Sequence, residues 1–155
     1  MTNPNIREGE AQRKVVDKYS PKKGKKYFDL NEANHAIGYV SRVIADLMAT
    51  YHNIVDTRRR IEHPFLGDSL EHLEAAYETT LEKLSKLVDE LHDVGVELKD
   101  FEKGIVDFPA VHPSKDREIY LCWQHGESAI RYWREVHDGT KGRKDISTLE
   151  KTATV

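Results

Sequence analysis

Glu32 and His35 stand three residues apart in Glu32-Ala33-Asn34-His35, a spacing that puts a carboxylate and an imidazole on one helix face, as in bundles that hold paired iron or manganese ions. If the chain between them doubles back, His92 and Glu97 come near the same place. The four would then make a mixed oxygen and nitrogen shell suited to iron, manganese or zinc, with Asp107 or Glu127 as a further carboxylate. A bundle site of this kind ordinarily uses two Glu-x-x-His units and two more glutamates, and the bland alternative is a polar helix flank with intrahelical pairs. The eight histidines of the chain are dispersed, and no two stand three or four apart.

A second set of polar residues follows: Glu97, Lys99, Asp100, Asp107, Arg117, Tyr120 and Glu127, set among apolar residues that alternate. On a short sheet such groups ordinarily face solvent. The functional alternative is that one face of the sheet packs on helices while the other, carrying Asp107, Arg117 and Tyr120, lines a polar pocket or a subunit contact. Glu97, Asp100, Asp107, Arg117, Tyr120 and Glu127 are therefore the expected ligand or interaction surface. Arg117 has the forked donor geometry that grips a carboxylate or phosphate, or it pairs with Asp107 structurally. Cys122 near His125 spells a nucleophile and a base, yet Cys122 sits between Leu121 and Trp123, where burial raises a thiol pKa and leaves it inert. No Gly-x-Ser-x-Gly, phosphate-binding loop, dinucleotide fingerprint or His-Glu-x-x-His occurs, which argues against the common hydrolase, nucleotide-binding and zinc-protease classes.

The elements that must position these residues follow from hydrophobic spacing. Leu30, Ala33, Ile37, Val40, Ile44, Leu47, Tyr51 and Ile54 advance by alternating threes and fours, a coiled-coil seam that predicts a helix capped by Asp29 or Asn31 and reaching about Arg60. Arg58-Arg59-Arg60 complements the dipole at its end. His63-Pro64-Phe65-Leu66-Gly67 breaks the pattern, Asp68 and Glu71 have capping-box spacing, and Leu70, Leu73, Tyr77, Leu81, Leu84, Val88, Leu91 and Val94 mark a second helix closed by Gly95. Two long helices on a short turn must lie antiparallel. Folding about Pro64 brings His35 opposite His92 and Glu32 opposite Glu97. After Gly95 the period becomes two: Val96 and Leu98, then Ile105, Val106 and Phe108, then Ile119, Leu121 and Trp123 predict two or three short antiparallel strands. A third helix is expected over Glu127 to His137, with Ile130, Trp133 and Val136, or Ala129 and Trp133, inward. The fold class is α+β: a long antiparallel, coiled-coil-like helical hairpin, a small antiparallel β-sheet and a short C-terminal helix.

With 155 residues there is room for one core, and 38% hydrophobic against 33% charged residues makes a chain that folds with much polar surface. No apolar run is long enough for a membrane span, the first ten residues lack the apolar core of a signal peptide, and one cysteine excludes an intrachain disulfide or a four-cysteine zinc site. A cytoplasmic protein is expected. Residues 1–26 hold eight basic and three acidic side chains, a net of +5, which leaves −8 on the remainder. They read as a disordered basic arm, followed by a single α+β domain over 27–146 and a frayed tail over 147–155. Lys22-Lys23-Gly24-Lys25-Lys26 would attract nucleic acid or anionic lipid. Against that role, only Tyr19 and Tyr27 interleave with the lysines, and the body is acidic, so a solubilising arm is the preferred reading.

Gly95-Val96-Glu97-Leu98-Lys99-Asp100, Gly104-Ile105-Val106-Asp107-Phe108-Pro109-Ala110 and Arg117-Glu118-Ile119-Tyr120-Leu121-Cys122-Trp123 resemble an uncharacterised bacterial family, domain of unknown function 2203. Tyr27-Phe28, Leu30-Asn31-Glu32-Ala33-Asn34, Gly126-Glu127, Trp133, Gly139 and Gly142-Arg143 support the match from about Tyr27 to Ile146. The resemblance implies membership and no assigned reaction. The chain departs from the family pattern at Arg134, where histidine is usual, at His137, where an acid is usual, and at Thr140, where an aromatic is usual. The expectation is a non-catalytic binding or interaction module that forms a homodimer to cover the apolar edge of its hairpin. A metal-binding protein or enzyme using Glu32, His35, His92 and Glu97 is the second reading, and a nucleic-acid-associated protein tethered by its arm the third.

Overall fold

A computed structural model describes residues 18–153, and its first long element is α1, Leu30–Glu62. Asp29 starts it: its carboxylate accepts from the Glu32 amide at 2.7 Å while the Glu32 side chain returns to the Asp29 amide at 3.4 Å, a reciprocal cap. Ala33, Ile37, Val40, Val43, Ile44, Leu47, Thr50 and Ile54 are its buried residues, close to the stripe expected. Residues 63–69 turn the chain into α2, Leu70–Val94. Its N-cap is Ser69 and not Asp68. The Asp68 carboxylate is taken by Arg60, whose Nε and Nη2 donate at 3.0 and 2.8 Å, and by the Phe65 amide at 2.7 Å. Gly95, left-handed at φ +100°, closes α2 and turns the chain into the sheet.

The sheet has five antiparallel strands in chain order: β1 (Glu97–Asp100), β2 (Ile105–Val111), β3 (Glu118–Gln124), β4 (Tyr132–Glu135) and β5 (Lys144–Asp145). Val106 lies opposite Trp123, Phe108 opposite Leu121, and Leu121 opposite Trp133, so these side chains share the inner face with Ala110 and Ile119. That face packs on the hairpin in one core. Phe28 meets Phe108 edge-on at 5.1 Å, and the Ile130 amide donates to Asn34 Oδ1 at 2.8 Å.

The helix expected over Glu127–His137 is not formed. That stretch contains a loop and β4, and the short C-terminal helix is α3, Ile146–Ala153. Ile130, Trp133 and Val136 fit a helical period, but only a few residues carry the signal, and Trp133 inward with Tyr132 and Arg134 outward fits a strand equally. The free edge of β3 decides between them, because its backbone groups would otherwise lie buried without partners. Residues 147–153, read from the sequence as part of a frayed tail, lie in α3, and Leu149 is buried in the core. The first 17 residues of the expected basic arm lie outside the described residues. Its last residues are docked: Lys25 reaches Glu118 at 3.1 Å and Lys26 reaches Glu32 at 3.0 Å. Among the described residues no helix is long and apolar enough to cross a membrane.

Gly104 turns β1 into β2 at φ +68°, and a Cβ there would meet Met48 Sδ at 2.7 Å, His125 Cβ at 2.8 Å and Ile44 Cγ2 at 3.0 Å. Gly38, exposed on α1, has open space at its Cβ position. Gly104→Ala should therefore destabilise by roughly 2–4 kcal/mol, while Gly38→Ala should stabilise by about 0.5–1 kcal/mol. Urea denaturation checks both, and equal effects at the two glycines would contradict this packing.

Candidate functional site

The outer face of the sheet carries the residues that alternate with the core. Glu97 lies opposite Asp107, Asp107 opposite Cys122, and Cys122 opposite Tyr132; in the neighbouring row Pro109, Tyr120 and Arg134 stand side by side. Asp107 is only 2% exposed and Arg134 7%. They meet: Arg134 Nη2 donates to Asp107 Oδ2 at 2.5 Å, and Nη1 donates to the Asp138 carbonyl at 2.5 Å. The guanidinium lies over the Tyr120 ring, 4.6 Å from its centre. The Tyr120 hydroxyl donates to Glu97 Oε1 at 3.1 Å, and Lys99 Nζ donates to the same oxygen at 3.2 Å. Among the described residues Arg134 Nε is buried with no hydrogen-bond partner, a cost of about 1–3 kcal/mol that leaves the network one acceptor short.

Burial opposes the Arg134 charge, but the Asp107 carboxylate beside it more than compensates and raises its pKa. Burial, and then the Glu97 charge, push the Tyr120 hydroxyl up to about 12. Burial, and then the charge and hydrogen bond of Asp107, push the Cys122 thiol up to about 12. Cys122 is therefore a protonated wall residue, as its position between Leu121 and Trp123 suggests.

Beside this network opens a cleft of about 440 Å³. Asp107, Cys122 and Ile105 line it together with Lys103, Thr140 and Arg143. Asp100 also lines it, and its Oδ1 accepts from the Glu102 and Lys103 amides at 2.9 and 2.7 Å.

Of the six residues expected on a ligand surface, Glu97, Asp107 and Tyr120 come together and Asp100 stands at the side of the cleft. Arg117 pairs instead with Glu135, its Nε donating to Oε2 at 2.8 Å. Glu127 holds its own loop, accepting from the Gln124 amide at 2.7 Å. The structure does not gather Glu32, His35, His92 and Glu97. The Glu32 carboxyl, held below its ordinary range first by its hydrogen bond from Lys26, belongs to the helix cap. His35 Nδ1 is bonded to the Asn31 carbonyl at 2.8 Å, His92 is exposed, and Glu97 lies on the sheet. Among the described residues no group of three or more His, Cys, Asp or Glu is placed to hold a metal ion. Tyr39 of α1 donates to Glu90 of α2 at 2.6 Å, in line with folding about Pro64, but Glu32 and His35 are exposed and Gly95 diverts Glu97 onto the sheet. Arg134, Lys103 and Arg143 were not singled out as site residues. A signal for Arg134 exists in the sequence: an acid between Val106 and Phe108 in a strand demands a nearby cation.

A family model described as an uncharacterized conserved protein (DUF2203) matches residues 26–146. No curated protein and no solved structure matches the chain.

Removing one partner of the buried pair should cost far more than replacing both. Arg134→Met should lose about 3–5 kcal/mol in urea denaturation, and Asp107→Leu with Arg134→Met should recover most of it; a double variant no better than the single would contradict an unpaired-charge penalty. At the end of the sheet, burial raises the Glu118 carboxyl, but the Tyr27 hydroxyl and Lys25 overcome it, and Arg117 does the same for Glu135, so both titrate below the ordinary glutamate value of 4.5. Their stabilisation is present above that value and is lost as pH falls through the lower folded ones. Glu118→Gln should therefore be less stable than the native chain at neutral pH, with a gap that narrows in acid on parallel urea curves.

Proposed function

We propose, for a chain that belongs to the DUF2203 family of uncharacterized conserved proteins, a non-catalytic binding module whose ligand seat is the cleft on the outer face of the sheet. The carrying observation is the buried Asp107–Arg134 pair beside a cleft of about 440 Å³, within the size range of small-molecule sites, about 300–1,000 Å³. Asp107, which lines the cleft, is held by Arg134, itself braced by the Asp138 carbonyl and the Tyr120 ring, so this part of the wall is fixed before any ligand arrives, which lowers the entropy cost of binding. Binding is favoured over catalysis by the protons. General acid–base work needs a pKa near the working pH and thiol chemistry needs a thiolate, whereas Cys122 and Tyr120 are both pushed up to about 12. Lys25 and Lys26 of the arm are engaged with Glu118 and Glu32, which weighs against a nucleic-acid tether.

Fragment screening by amide NMR tests the seat. Hits should shift Ile105, Cys122, Gln124 and Thr140 together, and Thr140→Trp, at an exposed position, should abolish them; shifts scattered elsewhere, or unmoved by Thr140→Trp, would sink this reading.

A homodimer is the second part of the reading, and the far half of the hairpin supports it. Leu70 and Leu81, 49% and 40% exposed, are three turns apart and share one side of α2, where the hairpin extends past the buried part of α2 at Leu91. A second copy would cover them. Sedimentation velocity should give twice the chain mass, falling to the chain mass in Leu70→Glu with Leu81→Glu; a monomer at high micromolar concentration counts against it.

A further inference from the structure

The geometry points to a small multivalent oxyanion, a phosphate ester or a dicarboxylate, as the ligand of the cleft, held between Lys103 and Arg143; this rests on the cleft being a binding seat. The argument is a charge balance taken group by group. Asp107 is spent on Arg134, whose Nη2 lies 2.5 Å away, and the Cys122 thiol also hydrogen-bonds to it. Asp100 is the opposing charge at the opening, and its Oδ1 already accepts two backbone amides. Lys99 shares its ammonium with Glu97. What remains is positive. Among the described residues neither Lys103 nor Arg143 has an acidic partner.

Both cations are placed by structure rather than left on free stems. Arg143 Nε donates to the Thr140 carbonyl at 3.1 Å and the guanidinium lies over the Tyr132 ring, 5.0 Å from its centre. This leaves the two terminal nitrogens for forked donation, the pattern that carboxylate and phosphate oxygens accept. The Lys103 amide is tied to Asp100, and the next residue, Gly104, turns the strand where Met48, Ile44 and His125 leave no room for a side chain. The Lys103 stem therefore starts from a fixed point. Thr140 and Gln124, which line the cleft, bring side chains with neutral donors. A cation would find the reverse, since no carboxylate cluster there is placed to hold one. A neutral ligand would leave the excess positive charge of Lys103 and Arg143 over Asp100 unbalanced in a cleft partly walled by Ile105 and Trp123, where like charges repel more than in open water.

The test is an amide NMR titration of the full chain with inorganic phosphate and with succinate, beside glycerol as a neutral probe and putrescine as a cationic one. Phosphate, succinate or both should shift Lys103, Gln124 and Thr140. Phosphate alone would assign a phosphoryl ligand, succinate alone a dicarboxylate, and both the shared oxyanion chemistry. Lys103→Ala and Arg143→Ala, at exposed positions, should each weaken the effective anion about tenfold, and added salt should weaken it further. Anion binding that survives the double substitution unchanged overturns the inference. So does a cleft that responds to glycerol or putrescine and not to either anion, although the seat itself would then stand. A cleft that responds to none of the four probes and yields no fragment hit overturns both.

Discussion

Asp107 is 2% exposed in the second of five strands, and a carboxylate there is several kcal/mol too costly unless a cation meets it. Arg134 meets it from two strands away, which ties the pair to the register of β4. Slipping β4 by one residue would turn Arg134 into the core and bring Trp133 out to solvent. The buried pair, the strand alignment and the packing of Trp133 against the helices are thus one constraint. The same guanidinium extends it to the next loop by donating to the Asp138 carbonyl. That loop carries Thr140 and Arg143, so the interaction that ties β4 to β2 also bears on one side of the cleft.

The opposite face of the sheet is organised by packing. Val106, Phe108, Leu121, Trp123 and Trp133 close over Ala33, Ile37, Val40, Ile44 and Leu47 of α1, and Gly104 allows the β1–β2 turn to press against Ile44 and Met48. At the other end, Tyr27 and Lys25 converge on Glu118, with Tyr27 Oη 2.5 Å and Lys25 Nζ 3.1 Å from the same oxygen. This fastens the end of the basic segment to β3. The hairpin then continues beyond its cover. At about 50 Å for α1, it is much longer than any strand, and this length leaves Leu70 and Leu81 in solvent.

Arginine at position 134 has a physical reason. A histidine there would be shorter and would lose its charge above its pKa, whereas arginine keeps a permanent charge and donates to Asp107 and Asp138 at once. Position 134 thus neutralises Asp107, which lines the cleft. The permanent internal pair lies beside Lys103 and Arg143, with Asp100 as the opposing charge in the same cleft.

The hairpin was legible in the sequence because each helix carries its evidence many times over. Alternating steps of three and four repeat along both helices, and the breaks at Pro64 and Gly95 leave only one way to fold them. The early strands were legible for the same reason, with Val106 and Phe108 or Leu121 and Trp123 marking one face. The stretch around Trp133 was not, because four residues satisfy a helical and a strand period equally and the unpaired edge of β3 makes the choice. Glu97, Asp107 and Tyr120 could be singled out as polar residues in strands, yet their meeting with Arg134 depends on the register of three strand pairs. Arg117 belongs to Glu135 for that reason as well. Local composition and periodicity determined which segments are helix or strand and which side of each is apolar. Only the tertiary structure decided which charges are neutralised and which are left unpaired, because a salt bridge between strands is fixed by alignments that no single segment encodes.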